Sequence, residues 1–171
     1  MNHILIAYFS RAGENYFGGK IKSVEVGNTE ICAKELAKAI DADLFKIEMK
    51  EPYSDSYKKC VAQAMKDMTF KKRPELKKLP ESIEPYDTIV LGYPNYCGSM
   101  PQAVTTFLTA FDFTGKKILP FCTNEGSGMG RSEGVIKKLC PTAEVKEGLP
   151  VHGSMAAEAG STLADWVSRN I

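Results

Sequence analysis

The chain of 171 residues is long enough for one domain with a buried core, and 43% hydrophobic and 25% charged residues are typical of globular proteins. A net charge of +1 excludes the basic surplus typical of nucleic-acid binding, and no run of about 18 apolar residues is present that could cross a membrane. We therefore expect one domain, residues 1–171, in the cytoplasm, with neither nucleic acid nor membrane as a partner.

Apolar runs that suit buried strands alternate along the chain with segments of helical periodicity. The predicted strands are residues 3–9, 42–49, 87–93, 116–122 and 143–149. The predicted helices are residues 29–40, 54–68, 100–111, 132–139 and 156–170. Asn28 is the expected N-cap of the first helix, while Ser99 caps the third, with Pro101 in its first turn.

This alternation predicts an α/β fold with a five-stranded parallel sheet covered by helices on both faces, because parallel strands need crossover connections. Strands one, three and four are the most apolar and are expected at the centre, which the order 2-1-3-4-5 satisfies. Such sheets bind ligands beyond the carboxyl ends of their strands, where the winding reverses. The loops after Phe9, Tyr93 and Cys122 are therefore the candidate binding loops.

The first of these loops is interrupted by an insertion. Residues 8–30 are YFSRAGENYFGGKIKSVEVGNTE, and removal of residues 14–27 leaves a strand, a short Ser/Gly/Asn/Thr loop and a helix. A loop of that kind presents backbone N–H groups, hydroxyls and the positive end of a helix dipole to a phosphate. We interpret residues 14–27 as an inserted flap, in which Gly18 and Gly19 turn a short hairpin.

The other two loops have a similar character. They are YPNYCGSMP, residues 93–101, and CTNEGSGMG, residues 122–130. Both are rich in small residues, amides, hydroxyls and glycines, and neither contains a catalytic cluster of His, Asp and Glu. This composition favours a site that holds a ligand.

The three loops resemble those of the flavodoxin family, in order and spacing, over essentially the whole chain. In that family the first loop, S/T-x-T-G-N-T, cradles the phosphate of flavin mononucleotide (FMN), the second places an aromatic residue beside the flavin ring, and the third wraps its pyrimidine edge. The resemblance implies a flavodoxin-like three-layer sandwich with FMN as cofactor. The FMN-binding residues that it implies are Ser10, Arg11, Ala12, Gly13, Asn28 and Thr29 in the first loop, Pro94, Asn95, Tyr96, Cys97 and Gly98 in the second, and Thr123, Asn124, Glu125, Gly126, Ser127 and Gly128 in the third.

Three positions depart from the family pattern. Ala12 replaces a hydroxyl residue of the phosphate loop, and Tyr96, the implied ring partner, stands where a Trp is frequent. Glu125 adds a negative charge beside the flavin, which predicts a lower potential for the fully reduced, anionic cofactor.

A redox-active thiol at Cys97 is a weaker alternative to loop packing, because no second cysteine is near it in sequence.

The resemblance implies an FMN protein that carries electrons between redox partner proteins, as a monomer or weak homodimer. Two alternatives stay open: an FMN-dependent NAD(P)H:quinone-type oxidoreductase, and a binding module without flavin. A hydrolase is a further hypothesis, because residues 130–134 fit G-x-S-x-G and His152 follows. Ser132, however, comes some ten residues after the strand end that a nucleophile elbow requires, so we interpret that match as chance.

Overall fold

The computed structural model describes residues 2–171. The strands are β1 (Ile4–Tyr8), β2 (Gly13–Phe17), β3 (Lys20–Val24), β4 (Asp43–Lys46), β5 (Thr88–Pro94), β6 (Lys117–Asn124), β7 (Glu144–Val145) and β8 (Leu149–His152). The helices are α1 (Asn28–Ala39), α2 (Tyr57–Thr69), α3 (Gln102–Thr109), α4 (Ser132–Leu139) and α5 (Gly160–Asn170), with a 3-10 helix at Gly153–Glu158. Within residues 2–171, none of the helices has the length and apolarity needed to cross a membrane.

The main sheet is parallel and has the order β4-β1-β5-β6, with β7 and β8 both paired to the outer edge of β6. Ile6 of β1 lies between Leu44 of β4 and Val90 of β5. In the numbering of the predicted strands this order is 2-1-3-4-5, so the predicted topology is confirmed. The most buried strands, β1, β5 and β6, occupy the middle, as their continuous apolar runs require.

Two hydrophobic clusters lie on the opposite faces of this sheet, because successive side chains of a strand point to opposite sides. Ile6 packs with α1 and α5 on one face, where Leu36 and Trp166 are buried. Leu5 packs on the other face with α3 and α4, where Phe107 and Ile136 are buried. The result is the predicted three-layer sandwich.

The last part of the chain differs from the prediction. The fifth strand is two short pieces rather than a continuous strand over residues 143–149, and the closing helix is α5 preceded by a 3-10 turn. Gly148 donates its N–H to Glu133 and lies so close to Met129 that a Cβ there would be 2.3 Å from the methionine methyl carbon. This contact draws the chain away from the sheet edge between β7 and β8.

Two predicted helix caps were wrong. Gly27, not Asn28, is the N-cap of α1, and its missing side chain makes no capping bond. Pro101, not Ser99, is the N-cap of α3, so the proline lies just outside the first turn. The first helix begins one residue before its predicted start, and the third begins two residues after it.

The insertion forms a hairpin of its own, separate from the main sheet. β2 and β3 pair antiparallel, with Phe17 opposite Lys20. Gly18 and Gly19 have φ values of 59° and 83°, which suit the two-residue turn that was predicted for them.

Candidate cofactor-binding site

A cavity of about 460 Å³ lies beyond the carboxyl ends of β1, β5 and β6, and its volume is in the usual range for small-molecule sites. Most of the residues implied by the family resemblance line it: Ser10, Arg11, Asn28, Thr29, Pro94, Asn95, Tyr96, Cys97, Thr123, Asn124, Glu125 and Ser127. Five of them do not: Ala12, Gly13, Gly98, Gly126 and Gly128. The four glycines have positive φ angles, so they shape the loops that carry the lining residues.

The structure joins the two halves of the interrupted first loop. The Ser10 hydroxyl accepts a hydrogen bond from the Glu30 N–H at 3.1 Å and so caps α1 from outside the helix. The N–H groups of Asn28 and Thr29, at the start of α1, have no acceptor within residues 2–171. The Ser10 hydroxyl and these two N–H groups meet at the positive end of the helix dipole, which is an arrangement suited to an anion.

Hydroxyl and amide contacts hold the three loops together. Thr29 of the first loop and Thr123 of the third loop share a hydrogen bond of 2.7 Å, and both are almost fully buried. The amide of Asn95 donates to the Gly128 carbonyl at 2.9 Å and accepts from the Gly98 N–H at 3.0 Å. The cavity is therefore a single unit rather than three independent loops.

Arg11 supports the hairpin instead of pointing freely into the cavity. Its guanidinium donates to the carbonyls of Ser54, Asp55 and Glu14. The backbone N–H of Glu14 donates to the Asp55 carbonyl, and the Glu14 carboxylate caps α2 by accepting from the Tyr57 N–H, both at 2.9 Å. The base of the inserted hairpin is thus attached to the segment that starts α2.

One wall of the cavity was missed by sequence reasoning. Tyr57, Cys60, Val61 and Ala64 of α2 all line it. Their spacing of three and four residues places them on one helix face, and that periodicity was the available signal. Residues 54–68 were predicted only as a helix, and no binding role was assigned to them.

Tyr96 lies at the border between the cavity and the core. Its ring packs edge-on against Phe9 at 5.9 Å and at a tilt against Tyr53 at 6.4 Å, and its hydroxyl lies 3.9 Å from the Cys60 sulfur. Burial raises the pKa of Tyr96 well above its ordinary value, so the hydroxyl stays neutral. These contacts fix the orientation of the ring at the cavity wall.

Neither cysteine of the cavity has the character of an activated thiol. Desolvation is the main cause that raises the pKa of Cys60 and of Cys97. Both side chains are therefore protonated at neutral pH, and the thiol is a poor nucleophile compared with the thiolate. Cys97 is solvent-exposed and has a φ of 52°, so its conformation serves the turn of the loop.

Glu125 connects the third loop to the tip of the hairpin. Its Oε2 accepts a hydrogen bond from the Gly18 N–H at 3.2 Å and lies 3.6 Å from His152 Nε2. Its Oε1 is buried and has no hydrogen-bond partner within residues 2–171. This oxygen is covered by the protein and lies against Gly153, where an added Cβ would be 2.3 Å from it.

The residues that line the cavity fit FMN. The start of α1 offers an anion cradle for a phosphate, while the Asn124 and Ser127 side chains can bond to hydroxyl and ring N–H groups. The walls formed by Tyr96 and Val61 offer apolar surface to a flat ring.

The hydrolase hypothesis is excluded by the surroundings of Ser132. This residue is fully buried in the first turn of α4, where its hydroxyl donates to the Met129 carbonyl at 2.6 Å and accepts from the Tyr93 hydroxyl at 2.8 Å. A nucleophilic serine needs an accessible hydroxyl beside a base, and Ser132 has neither.

Comparison with known proteins assigns the family. A family model described as flavodoxin matches residues 3–170, so the chain belongs to the flavodoxin family. None of the curated proteins compared with the chain matches it significantly.

Solved structures share the whole fold. A protein of Bacteroides eggerthii named as a flavoprotein is 28% identical over 98% of this chain and 99% of its own, with a TM-score of 0.74. A flavoprotein of Lactobacillus acidophilus, solved in complex with FMN, is 18% identical over 94% of this chain and 99% of its own, with a TM-score of 0.69. Flavodoxin 2 of Bacillus cereus is 21% identical over 99% of both chains, with a TM-score of 0.54.

Proposed function

We propose that the protein binds FMN in the 460 Å³ cavity and carries electrons between redox partner proteins. The observation that carries this proposal is the convergence of the three loops, with the Ser10 hydroxyl and the free N–H groups of Asn28 and Thr29 at the start of α1. Membership of the flavodoxin family and the FMN complex of the Lactobacillus acidophilus flavoprotein support it.

In this proposal the chain binds and orients the cofactor, and the bound flavin ring supplies the electron transfer. The start of α1 binds the phosphate, and the third loop, from Thr123 to Ser127, binds the polar edge of the ring. Tyr96 lies against the ring, with its own orientation fixed by Phe9 and Tyr53. The Thr29–Thr123 bond keeps the phosphate end and the ring end of the site in register.

An FMN-dependent oxidoreductase is the second candidate, and the wall from α2 favours it. Val61 and Ala64 extend the cavity beyond the three loops, so that a small flat substrate would have apolar surface beside the ring. Steady oxidation of NADH or NADPH by the FMN-loaded protein would favour the oxidoreductase over the electron carrier. No such oxidation, together with rapid electron exchange with a redox protein, would support the carrier.

The direct test is a visible absorption spectrum of the purified protein after addition of FMN and gel filtration. We expect the flavin bands to elute with the protein at about one FMN per chain, because the three binding loops form a single site. A double variant, Asn28→Asp with Ser10→Ala, adds a negative charge to the cradle and removes its hydroxyl, and should lose the cofactor. A colourless eluate from the unmodified protein would contradict the proposal.

Replacement of Glu125 by Gln should raise the midpoint potential of bound FMN. The amide keeps an acceptor for the Gly18 N–H but removes the negative charge that opposes formation of the reduced flavin anion. We expect an upward shift of tens of millivolts in a redox titration, since about 59 mV corresponds to a tenfold change for one electron. Glu158→Gln, an exposed residue away from the cavity, is the matched control, and equal potentials in all three proteins would remove this role from Glu125.

A further inference from the structure

A second cavity, of about 470 Å³, lies between α2, α3 and α4, on the far side of the loop that carries Tyr96. Its apolar surface comes from Met68 of α2, Met100 before α3 and Val135 of α4. It is as large as the first cavity, and the proposed FMN site makes no use of it.

Two cations line this second cavity without a counter-charge. Arg131 and Lys138, at the two ends of α4, are exposed, and their side chains make no ion pair or hydrogen bond with any residue of 2–171. None of the described lining residues is acidic. The neighbouring carboxylate of α4, Glu133, is turned away and accepts the N–H of Gly148.

The same cavity also contains a hydroxyl that has no hydrogen-bond partner among the described residues, that of Ser99. Ser99 is only 6% exposed, and its backbone is held by two hydrogen bonds with Tyr96, at 2.9 and 3.0 Å. Its Oγ makes no hydrogen bond within residues 2–171 and is not fully buried, so it is available to a ligand in the cavity. The nearby start of α3, capped only by Pro101, adds the positive end of a helix dipole.

We infer that this second cavity binds a small organic anion. Ser99, Arg131 and Lys138 would hold its phosphate or carboxylate group, and Met100 and Val135 would contact its apolar body. Charge-assisted hydrogen bonds of this kind are stronger than those between neutral groups. The apolar body adds binding free energy from buried apolar surface, which a simple inorganic anion lacks.

This second site is mechanically connected to the first cavity. The N–H of Arg131 donates to the Gly98 carbonyl at 2.8 Å, and Ser99 follows Gly98 in the same loop. A ligand that orders Ser99 and Arg131 therefore also orders the loop that lines the first cavity. By thermodynamic linkage, if this ligand changes the affinity for FMN by some factor, FMN changes the affinity for the ligand by the same factor.

Phenyl phosphate is a suitable probe, with inorganic phosphate as the anion alone and phenol as the apolar body alone. In amide NMR titrations of the full chain we expect saturable shifts at Ser99, Gln102 and Gly134, with phenyl phosphate at least tenfold tighter than either part. Shifts confined to Asn28 and Thr29 would report the phosphate cradle of the first cavity and would overturn the inference. So would the absence of saturable shifts at Ser99.

Charge-removal variants separate a specific site from general attraction to a basic surface. Arg131→Gln with Lys138→Gln should weaken phenyl phosphate binding at least tenfold, and Ser99→Ala should weaken it several-fold. Lys137→Gln is the matched control, because Lys137 is exposed on the same helix but does not line the cavity. Equal weakening by Lys137→Gln would overturn the inference, and retained amide dispersion shows that each variant is folded. The inference does not require FMN binding, so it can fail or succeed separately from the proposed function.

Discussion

Replacing Gly130 with alanine is expected to destabilise the protein by about 3 kcal/mol and to weaken FMN retention strongly. Gly130 has a φ of 55°, and a Cβ at this position would lie 2.2 Å from the carbonyl oxygen of Gly98. That oxygen is backbone and is already bonded to the Arg131 N–H, so it cannot move without opening the contact between the second and third loops.

Gly134→Ala provides the control for Gly130→Ala. Gly134 is in α4, four residues further on, and a Cβ there meets no atom within 4 Å. This substitution should stabilise the protein by about 0.5–1 kcal/mol, because alanine is the better helix former. Chemical denaturation and FMN titration of both variants make the comparison, and similar stabilities would show that the Gly98 contact is not tight.

Replacing Gly27 with alanine should impair the phosphate cradle with a smaller loss of fold stability. Gly27 has a φ of −70°, which alanine adopts easily, so the expected effect is steric. A Cβ would lie 2.3 Å from the Ser10 hydroxyl and 2.6 Å from the Arg11 carbonyl. We expect at least tenfold weaker FMN binding and a destabilisation of about 2 kcal/mol.

A double variant distinguishes the two clashes at Gly27. Ser10→Ala removes one of them, and by itself should cost about 1 kcal/mol through loss of the α1 cap. In Ser10→Ala/Gly27→Ala the clash with the Arg11 carbonyl remains, so the total loss of stability should be smaller than the sum of the single losses while FMN affinity stays low. Additive losses would indicate that Ser10 and Gly27 are not coupled, and normal affinity of Gly27→Ala would refute the cradle geometry.

Most of the lining of the first cavity could be predicted from the resemblance of the three loops to those of the flavodoxin family. Ser10, Asn28 and Thr123 lie where their loop positions implied, because loops that follow adjacent parallel strands must meet at one edge of the sheet. The wall from α2 was not predicted. Its inward orientation depends on the bonds that Arg11 and Glu14 of the hairpin make with residues 54–57, which are remote in sequence.

For individual side chains, too, sequence position is not enough to assign a role. Glu125 and Ser132 are both polar residues in or near the third loop, and sequence position alone made each a candidate for chemistry. Packing decides between them, since Glu125 lines the first cavity while the Ser132 hydroxyl is buried and fully bonded. Hydrogen-bond satisfaction is a property of the folded neighbourhood, so local sequence does not specify it.

By itself, the sequence determined the layer architecture, the strand order and the hairpin turn at Gly18 and Gly19, because hydrophobic periodicity and glycine conformation are local properties. Only the tertiary structure decided how the sheet edge ends, which side chains cap α1 and α2, and that Arg131, Lys138 and Ser99 surround a second cavity. These features come from contacts between segments far apart in the chain. Their energies depend on which groups packing leaves unpaired, and a linear pattern of residues does not contain that information.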